Sequence, residues 1–287
     1  MEVIRARTAG FCMGVSLALQ KLDSALESEG NSDCPRPGRI CTLGPIIHNP
    51  QVLAAYEARG VVCAHEGTAL GPDDIVLIRA HGITRQVEAR LRSSGAQVID
   101  ATCPKVKKAQ LAIARATEQG APLLLFGESD HPEVRGLISY ASGPAHVFGS
   151  RQDLATMKLD PSKPHVLASQ TTQDRNTFQD IQQDLQQRLQ SLTVLSTICD
   201  ATRQRQEEAR QIASQADVMV IVGGRQSGNT RRLADVAALS GITTFHVESA
   251  DELYAENFRK MKCAGLTAGA STPKSLIDAA EIWLTSL

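Results

Sequence analysis

The chain alternates short apolar runs of strand length with longer stretches whose apolar residues recur at helical spacing. After Cys12, residues Val15, Ala18, Leu19, Leu22, Ala25 and Leu26 fall on one face of a helix, and Val106, Ala109, Ile113 and Ala116 repeat the pattern after Cys103. The C-terminal segment does so again with Leu276, Ile277, Ala280, Trp283, Leu284 and Leu287. Three strand-like segments, VIRARTAGFC, QVIDATC and VLSTIC, end in Cys12, Cys103 and Cys199, at spacings of 91 and 96 residues. Near-equal intervals of this kind mark an internal repeat. Each third also carries a second strand running into a polar loop (RICTLGPIIHN, PLLLFGESDHPE, VMVIVGGRQSGNT) and a later one (IVLIRAHG, HVLASQTT, GLTAGAST).

Asn49-Pro50 and Thr272-Pro273 pair a capping side chain with proline at a first helical position, and His131-Pro132 is a weaker version. Strand, loop and helix thus recur about nine times. Such alternation predicts the α/β class with mostly parallel sheets, in which ligands bind beyond the carboxyl ends of the strands. We expect three small, pseudo-threefold-related α/β domains facing a shared central cleft: 14–102, 103–198, and 199–287 together with 1–13. The segments Gly30 to Gly38 and Ala141 to Pro164 contain the least regular connections.

With 287 residues and 42% hydrophobic content, the chain can fill one large or two to three small cores. A net charge of −1 without a basic run argues against nucleic acid as a partner. Met1 to Ser16 lacks the apolar core of a signal peptide, and runs such as Val218 to Val222 match strands rather than membrane spans, so we expect a cytoplasmic protein with no membrane partner. Seven cysteines, an odd count without an export signal, shift weight from disulfides to metal or catalytic roles.

Cys12, Cys103 and Cys199 each arrive from one third, which would gather three thiolates around one point. Three ligands suit an iron–sulfur cluster with one iron left open, whereas four would saturate it. Three buried structural cysteines are the plain alternative, but AGFCMG, DATCPK and TICDAT are turn-like and polar-flanked. A three-cysteine zinc site is the other metal reading, although the close C-x2-C pair typical of zinc ligands is missing. Cys34, Cys41, Cys63 and Cys263 have no counterparts in the other thirds and read as packing or surface residues.

The loops supply His48, His81, His131, Glu133, Thr171, Thr172, Ser227, Asn229 and Ser271. His131 and Ser227 both lie 28 residues beyond their own third's cysteine, and Glu133 and Asn229 both lie 30 beyond. Histidines, hydroxyls, an amide and helix N-termini together suit a diphosphate. Glu133 is the loop-end carboxylate that can carry a proton, against a plain role as a first-turn helix glutamate. Thr171 can hold or pass a proton or cap the next helix, and Thr172 fits capping or a phosphate-side role. His65, His146, His165 and His246 read as structural.

In order along nearly the whole chain, AGFCMGV, GPIIHNP, RAHG, DATCP, HPEV, SQTT, TICDAT, SGNT and TAGAST resemble the 4-hydroxy-3-methylbut-2-enyl diphosphate reductase family. The resemblance implies a trefoil of three α/β domains around a central [4Fe–4S] cluster held by Cys12, Cys103 and Cys199, with its fourth iron open. It implies that His48, His81, His131, Ser227, Asn229 and Ser271 bind the diphosphate of a small allylic substrate, that Glu133 donates the proton, and that Thr171 contacts the substrate hydroxyl. It further implies reduced ferredoxin or flavodoxin as electron donor, and isopentenyl and dimethylallyl diphosphates plus water as products, the last step of the non-mevalonate isoprenoid route.

Gly228 stands where many relatives have a second serine, which removes a hydroxyl but leaves a backbone N–H that can approach phosphate closely. Leu17 replaces an arginine common in relatives, on a helix face with no assigned role. Two other functions compete: a non-catalytic iron–sulfur sensor of a regulatory diphosphate, and a dehydratase that uses the open iron as a Lewis acid and consumes no electrons.

Overall fold

The computed structural model describes residues 1–30 and 38–287, so the expectation for Cys34 lies outside the described residues. In chain order the described elements begin β1 (Glu2–Arg5), α1 (Met13–Gly30), β2 (Ile40–Leu43), α2 (Pro50–Glu57), β3 (Val62–Ala64), β4 (Ile75–Ile78), α3 (Arg85–Ser93) and β5 (Gln97–Asp100). They continue with α4 (Pro104–Ala116), β6 (Leu123–Phe126), α5 (Pro132–Ile138), β7 (Ala145–Phe148), α6 (Arg151–Thr156), β8 (His165–Ser169), α7 (Arg175–Arg188) and β9 (Leu192–Val194). The last are α8 (Asp200–Ala213), β10 (Val218–Val222), α9 (Gly228–Ala238), β11 (Thr243–Val247), β12 (Cys263–Ala268) and α10 (Lys274–Thr285). Two compact units contain them: unit 1 comprises Met1–Ser16, Ile47–Tyr56 and Cys199–Leu287, and unit 2 comprises Leu17–Ile46 and Glu57–Ile198.

Unit 1 is built on one parallel sheet in the order β1-β12-β10-β11. Strand β10 shows why its residues are apolar throughout. Val218, Val220 and Val222 pack with Ile277, Ala280 and Leu284 of α10, while Met219 and Ile221 pack with Ala209 and Ile212 of α8 and Leu233 of α9. A parallel sheet covered on both faces needs such a run rather than alternation. Fully burying each Leu, Ile or Val here contributes about 1.5–3 kcal/mol relative to exposure. Of the apolar stripe expected on α10, Leu287 lies past the helix end and is exposed.

Unit 2 holds two parallel sheets, β3-β2-β4-β5 and β7-β6-β8-β9. Leu123 and Leu125 of β6 pack with Ile113, Val134 and Leu137, and Leu124 and Phe126 pack with Phe178, Ile181 and Leu185. In the other sheet, Cys41, Val76 and Ile78 pack against Val87 and Leu91 of α3.

The three sheets share one connectivity. Read from the matching edge, unit 1's sheet is β11-β10-β12-β1, so in every case the first and third strands of the repeat lie side by side at the centre. The fourth strand forms one edge and leads to a cysteine: β5 to Cys103, β9 to Cys199, and β1 to Cys12. Adjacent central strands whose connections run to opposite sides create a topological switch point, where open α/β sheets bind ligands.

Several expectations need correction. The edge strands β3, β7 and β11 stood outside the strand segments read from the sequence: all three are partly exposed, β3 is only three residues long, and polar residues interrupt β7 and β11. Residues 141–164, expected to contain one of the least regular connections, also hold β7 and α6, and α6 is capped by Ser150, whose hydroxyl accepts from the Asp153 N–H at 3.1 Å. Thr272 does not cap α10: its hydroxyl donates to the Val222 carbonyl at 3.0 Å, and Pro273 precedes the first helical residue. Among the described residues no helix is long and apolar enough to cross a membrane.

Candidate functional site

The three cysteines occupy one structural position. Each immediately precedes a helix, and each carbonyl accepts the first helical hydrogen bond: Cys12 from Ser16 at 2.9 Å, Cys103 from Lys107 at 3.0 Å and Cys199 from Arg203 at 3.0 Å. At Cys103 and Cys199 the side chain makes no capping hydrogen bond. Elsewhere in the chain Asp174, Ser227 and His131 cap through their side chains. Forgoing a capping side chain costs about 1 kcal/mol per helix, so sulfur at these positions calls for another role. The six described cysteines form no disulfide, and Cys12, Cys103 and Cys199 are all half-buried. By contrast Cys41, Cys63 and Cys263 stand within strands, and burial pushes the thiols of Cys41 and Cys263 up. The two groups thus differ in position: three precede helices and three lie within strands.

Unit 2 assembles the acid–base groups beyond the central strands β6 and β8. His131 caps α5, its Nδ1 accepting from the Glu133 N–H at 3.1 Å, so in the neutral ring Nε2 carries the proton and is the donor. The His81 ring meets it edge to face with centroids 5.3 Å apart. His81 follows β4, and the turn there requires Gly82: its φ is +72°, and a Cβ would lie 2.9 Å from Gln110 Nε2. Glu133, in the first turn of α5, is 1% exposed. Its Oε1 accepts from the Thr171 backbone N–H at 2.6 Å and its Oε2 from the Thr171 hydroxyl at 3.0 Å.

Burial raises the Glu133 carboxyl to about 7, against the opposing effect of the two Thr171 hydrogen bonds. A carboxyl so placed is partly protonated near neutral pH, the condition a general acid needs. Thr171 has its hydroxyl proton directed to Glu133, which leaves its oxygen as an acceptor. The capping roles considered for Thr171 and Thr172 belong instead to Asp174, whose Oδ1 accepts from the Thr177 N–H at 2.8 Å. Thr172 is half-buried and its role is not assigned by any contact.

Unit 1 assembles polar groups beyond β10 and β12. Ser227 caps α9 by accepting from the Thr230 N–H at 3.3 Å, which leaves its hydroxyl proton to point elsewhere. Gly228 is the first helical residue, so its N–H has no partner within the helix. Asn229 is 6% exposed, and its Nδ2 is buried without a hydrogen-bond partner among the described residues. A buried N–H donor left in this state costs about 1–3 kcal/mol unless a ligand or water satisfies it. Ser271 Oγ donates to the His48 carbonyl at 3.0 Å, tying the loop after β12 to the segment that carries His48. Gly223, with φ +146°, allows this crowding, since a Cβ would approach Thr272 Oγ1 to 2.5 Å. The donors therefore gather at the carboxyl ends of the two central strands, as the switch-point rule requires.

Two buried polar residues were missed in the sequence. Gln170, fully buried, accepts from the Glu128 N–H at 3.1 Å and so braces the turn before His131. Arg205 is buried on α8 with Thr202, Gln206, Ala209 and Ile212. A charged residue on an apolar helical stripe was the available signal for it.

A family model described as LytB protein matches residues 3–284. Relatives named 4-hydroxy-3-methylbut-2-enyl diphosphate reductase include one from Desulfovibrio desulfuricans, 71% identical over the whole of both chains, and one from Geobacter sulfurreducens, 42% identical over 97% of this chain and 95% of the relative. A solved structure of (E)-4-hydroxy-3-methyl-but-2-enyl diphosphate reductase, the terminal enzyme of the non-mevalonate pathway, is 36% identical, covers 100% of this chain and 99% of its own, and superposes with a TM-score of 0.69. The Plasmodium falciparum reductase structure, 23% identical, shares the fold at a TM-score of 0.90 over 99% of this chain and 88% of its own. Matched over residues 3–284 by that model and over 97–100% of its length by these relatives, the chain belongs to the LytB protein family.

Proposed function

We infer that this chain reduces (E)-4-hydroxy-3-methylbut-2-enyl diphosphate to isopentenyl and dimethylallyl diphosphates, the last step of the non-mevalonate isoprenoid route. The reaction consumes two electrons and two protons and releases one water: the allylic C–O bond breaks, one proton completes the water, and the other ends on carbon. The observation that carries the reading is the buried Glu133 carboxyl, raised to about 7 and held by both donors of Thr171.

Glu133 supplies the proton that lets the hydroxyl leave. Thr171 fixes the carboxyl's orientation and, with its oxygen still open as an acceptor, receives the substrate hydroxyl's hydrogen bond. His48, His81, His131, Ser227, Gly228, Asn229 and Ser271 hold the diphosphate, with Thr172 beside it. The unpartnered Asn229 Nδ2 supports this assignment. The Ser271 hydroxyl must turn from the His48 carbonyl to donate to phosphate, or else act by keeping that segment in place.

Cys12, Cys103 and Cys199 ligate one [4Fe–4S] cluster. Three thiols in the same helix-capping position, none in a disulfide, fit that group, because an anionic sulfur suits a helix N-terminus. A bound cluster would supply the electrons and Lewis-acid assistance to the leaving hydroxyl. Reduced ferredoxin or flavodoxin serves as donor, and a reducing cytoplasm suits both thiols and cluster. The domains of this proposal remain 14–102, 103–198, and 199–287 with 1–13. The test is anaerobic purification with iron and sulfide analysis, followed by turnover of the allylic diphosphate with a chemical reductant. Iron-replete protein that consumes no electrons while transforming the substrate would sink the reductase reading in favour of a dehydratase.

A further inference from the structure

Helix α8 starts directly after Cys199 and reaches back to the loop that carries Cys12. Arg205, 5% exposed, donates from Nη2 to the Gly10 carbonyl at 2.6 Å and from Nη1 to the Ala201 carbonyl at 3.4 Å. Each acceptor lies two residues from a cysteine. Further along the helix, Glu208 accepts from the Arg7 and Thr8 N–H groups and the Thr8 hydroxyl at 2.6–2.9 Å, so the same helix clamps the loop at two points. The guanidinium is close enough to both cysteines to interact electrostatically. Glu208, a carboxylate among the described residues that acts on it, is committed to the loop. Arg205 Nε is buried without a partner among the described residues. Burying a cation with neither a carboxylate at hydrogen-bond distance nor all its donors satisfied is costly unless a compensating negative charge arrives. A cluster held by anionic thiolates is such a charge.

We propose that Arg205 is a positioning residue that keeps Cys12 and Cys199 in register and, as a buried cation, raises the reduction potential of the cluster they bind. The proposal rests on the cysteine assignment above. Reduction adds negative charge, and a nearby cation in a low-dielectric setting stabilises the reduced form.

The test is an anaerobic redox titration followed by electron paramagnetic resonance, with iron and sulfide analysis, on the wild-type holoenzyme and on Arg205→Gln, Arg205→Met and Arg205→Lys. The Gln and Met variants should titrate at more negative potential than wild type, and Lys, which keeps the charge, close to it. A cluster-replete Gln variant with the wild-type potential overturns the proposal. Should Gln and Met fail to hold a cluster, retention in Lys with unchanged circular dichroism supports it, while loss of folded structure in all three reduces Arg205 to a packing residue and overturns it. Wild-type protein without a cluster removes the cysteine assignment itself and this proposal with it.

Discussion

Replacing Glu133 with glutamine separates its chemistry from its place in the fold. Glutamine keeps the size, accepts the Thr171 N–H through Oε1, and turns an NH2 towards a hydroxyl that can rotate to accept it. It cannot give up a proton. The expected loss is about 10²–10⁴-fold in turnover, the range for a positioned acid, with cluster content and substrate affinity close to wild type. The same substitution has a second signature in stability. In the folded protein the carboxyl sits at about 7, against an ordinary 4.5. Below 4.5 both folded and unfolded forms are protonated and the group imposes no penalty. Between 4.5 and about 7 the unfolded chain ionises while the folded one holds its proton, so stability is lost as pH rises, by about 3 kcal/mol across the window. Above it, the wild type carries a buried carboxylate. Glutamine does not titrate, so the variant should gain stability relative to wild type between pH 5.5 and pH 8. Denaturant unfolding of both proteins under argon at the two pH values reads the difference, in which cluster effects common to both cancel. Turnover of wild type should fall as pH passes through about 7 and the acid form is lost. Parallel stability curves together with near-normal turnover in the glutamine protein would refute the assignment.

Three further outcomes follow from the geometry. Thr171→Val removes the hydroxyl bonded to Glu133 Oε2 and should depress turnover strongly, whereas Thr171→Ser should recover most of it; equal activity in the two variants would show that the hydroxyl is idle. Alanine at Cys12, Cys103 or Cys199 should abolish the visible absorbance and iron of the anaerobic protein, while alanine at Cys63 or Cys263 leaves them, and equal loss at all five would defeat the ligand set. Asn229→Ala and Ser271→Ala should each weaken substrate binding roughly ten- to a hundredfold, as expected for one hydrogen bond to a charged group worth about 1.5–3 kcal/mol. Calorimetry with the unreactive diphosphate product measures this, and unchanged affinity in both would place the anion elsewhere.

The parts legible in the sequence are those where one residue type is required by one physical constraint. β10 had to be apolar because both its faces are covered, and the stripe Val106, Ala109, Ile113 had to repeat because one face of α4 is buried. The candidate residues were legible for a related reason, since they end strands that could be recognised. What stayed hidden depends on tertiary partners. β3 and β7 each expose their first two residues and borrow stability from the neighbouring strand, and at three and four residues they are too short to carry a periodic signal. Thr272 has the sequence of a cap, but a buried carbonyl competes for its hydroxyl and wins.

The shared connectivity explains why spacing from the cysteine worked as a ruler. In each sheet the cysteine opens the helix that leads to the first strand of the next set, and that strand is always central. In the sets after Cys103 and Cys199 the central strand ends the same 23 residues beyond the cysteine, at Phe126 and Val222, which is why His131 and Ser227 both cap the helices that follow; after Cys12 the strand ends later, at Leu43, and the offset does not carry over. The repeat conserves this capping position while its chemistry diverges. In unit 2, His131 is followed two residues later by an acid whose burial raises its pKa; in unit 1, Ser227 is followed by an amide whose N–H lacks a partner among the described residues. Burial thus does opposite work at Glu133 and Asn229. At the carboxyl it favours the protonated form that can act as an acid, and at the amide it leaves a donor whose desolvation only a bound acceptor or water can repay.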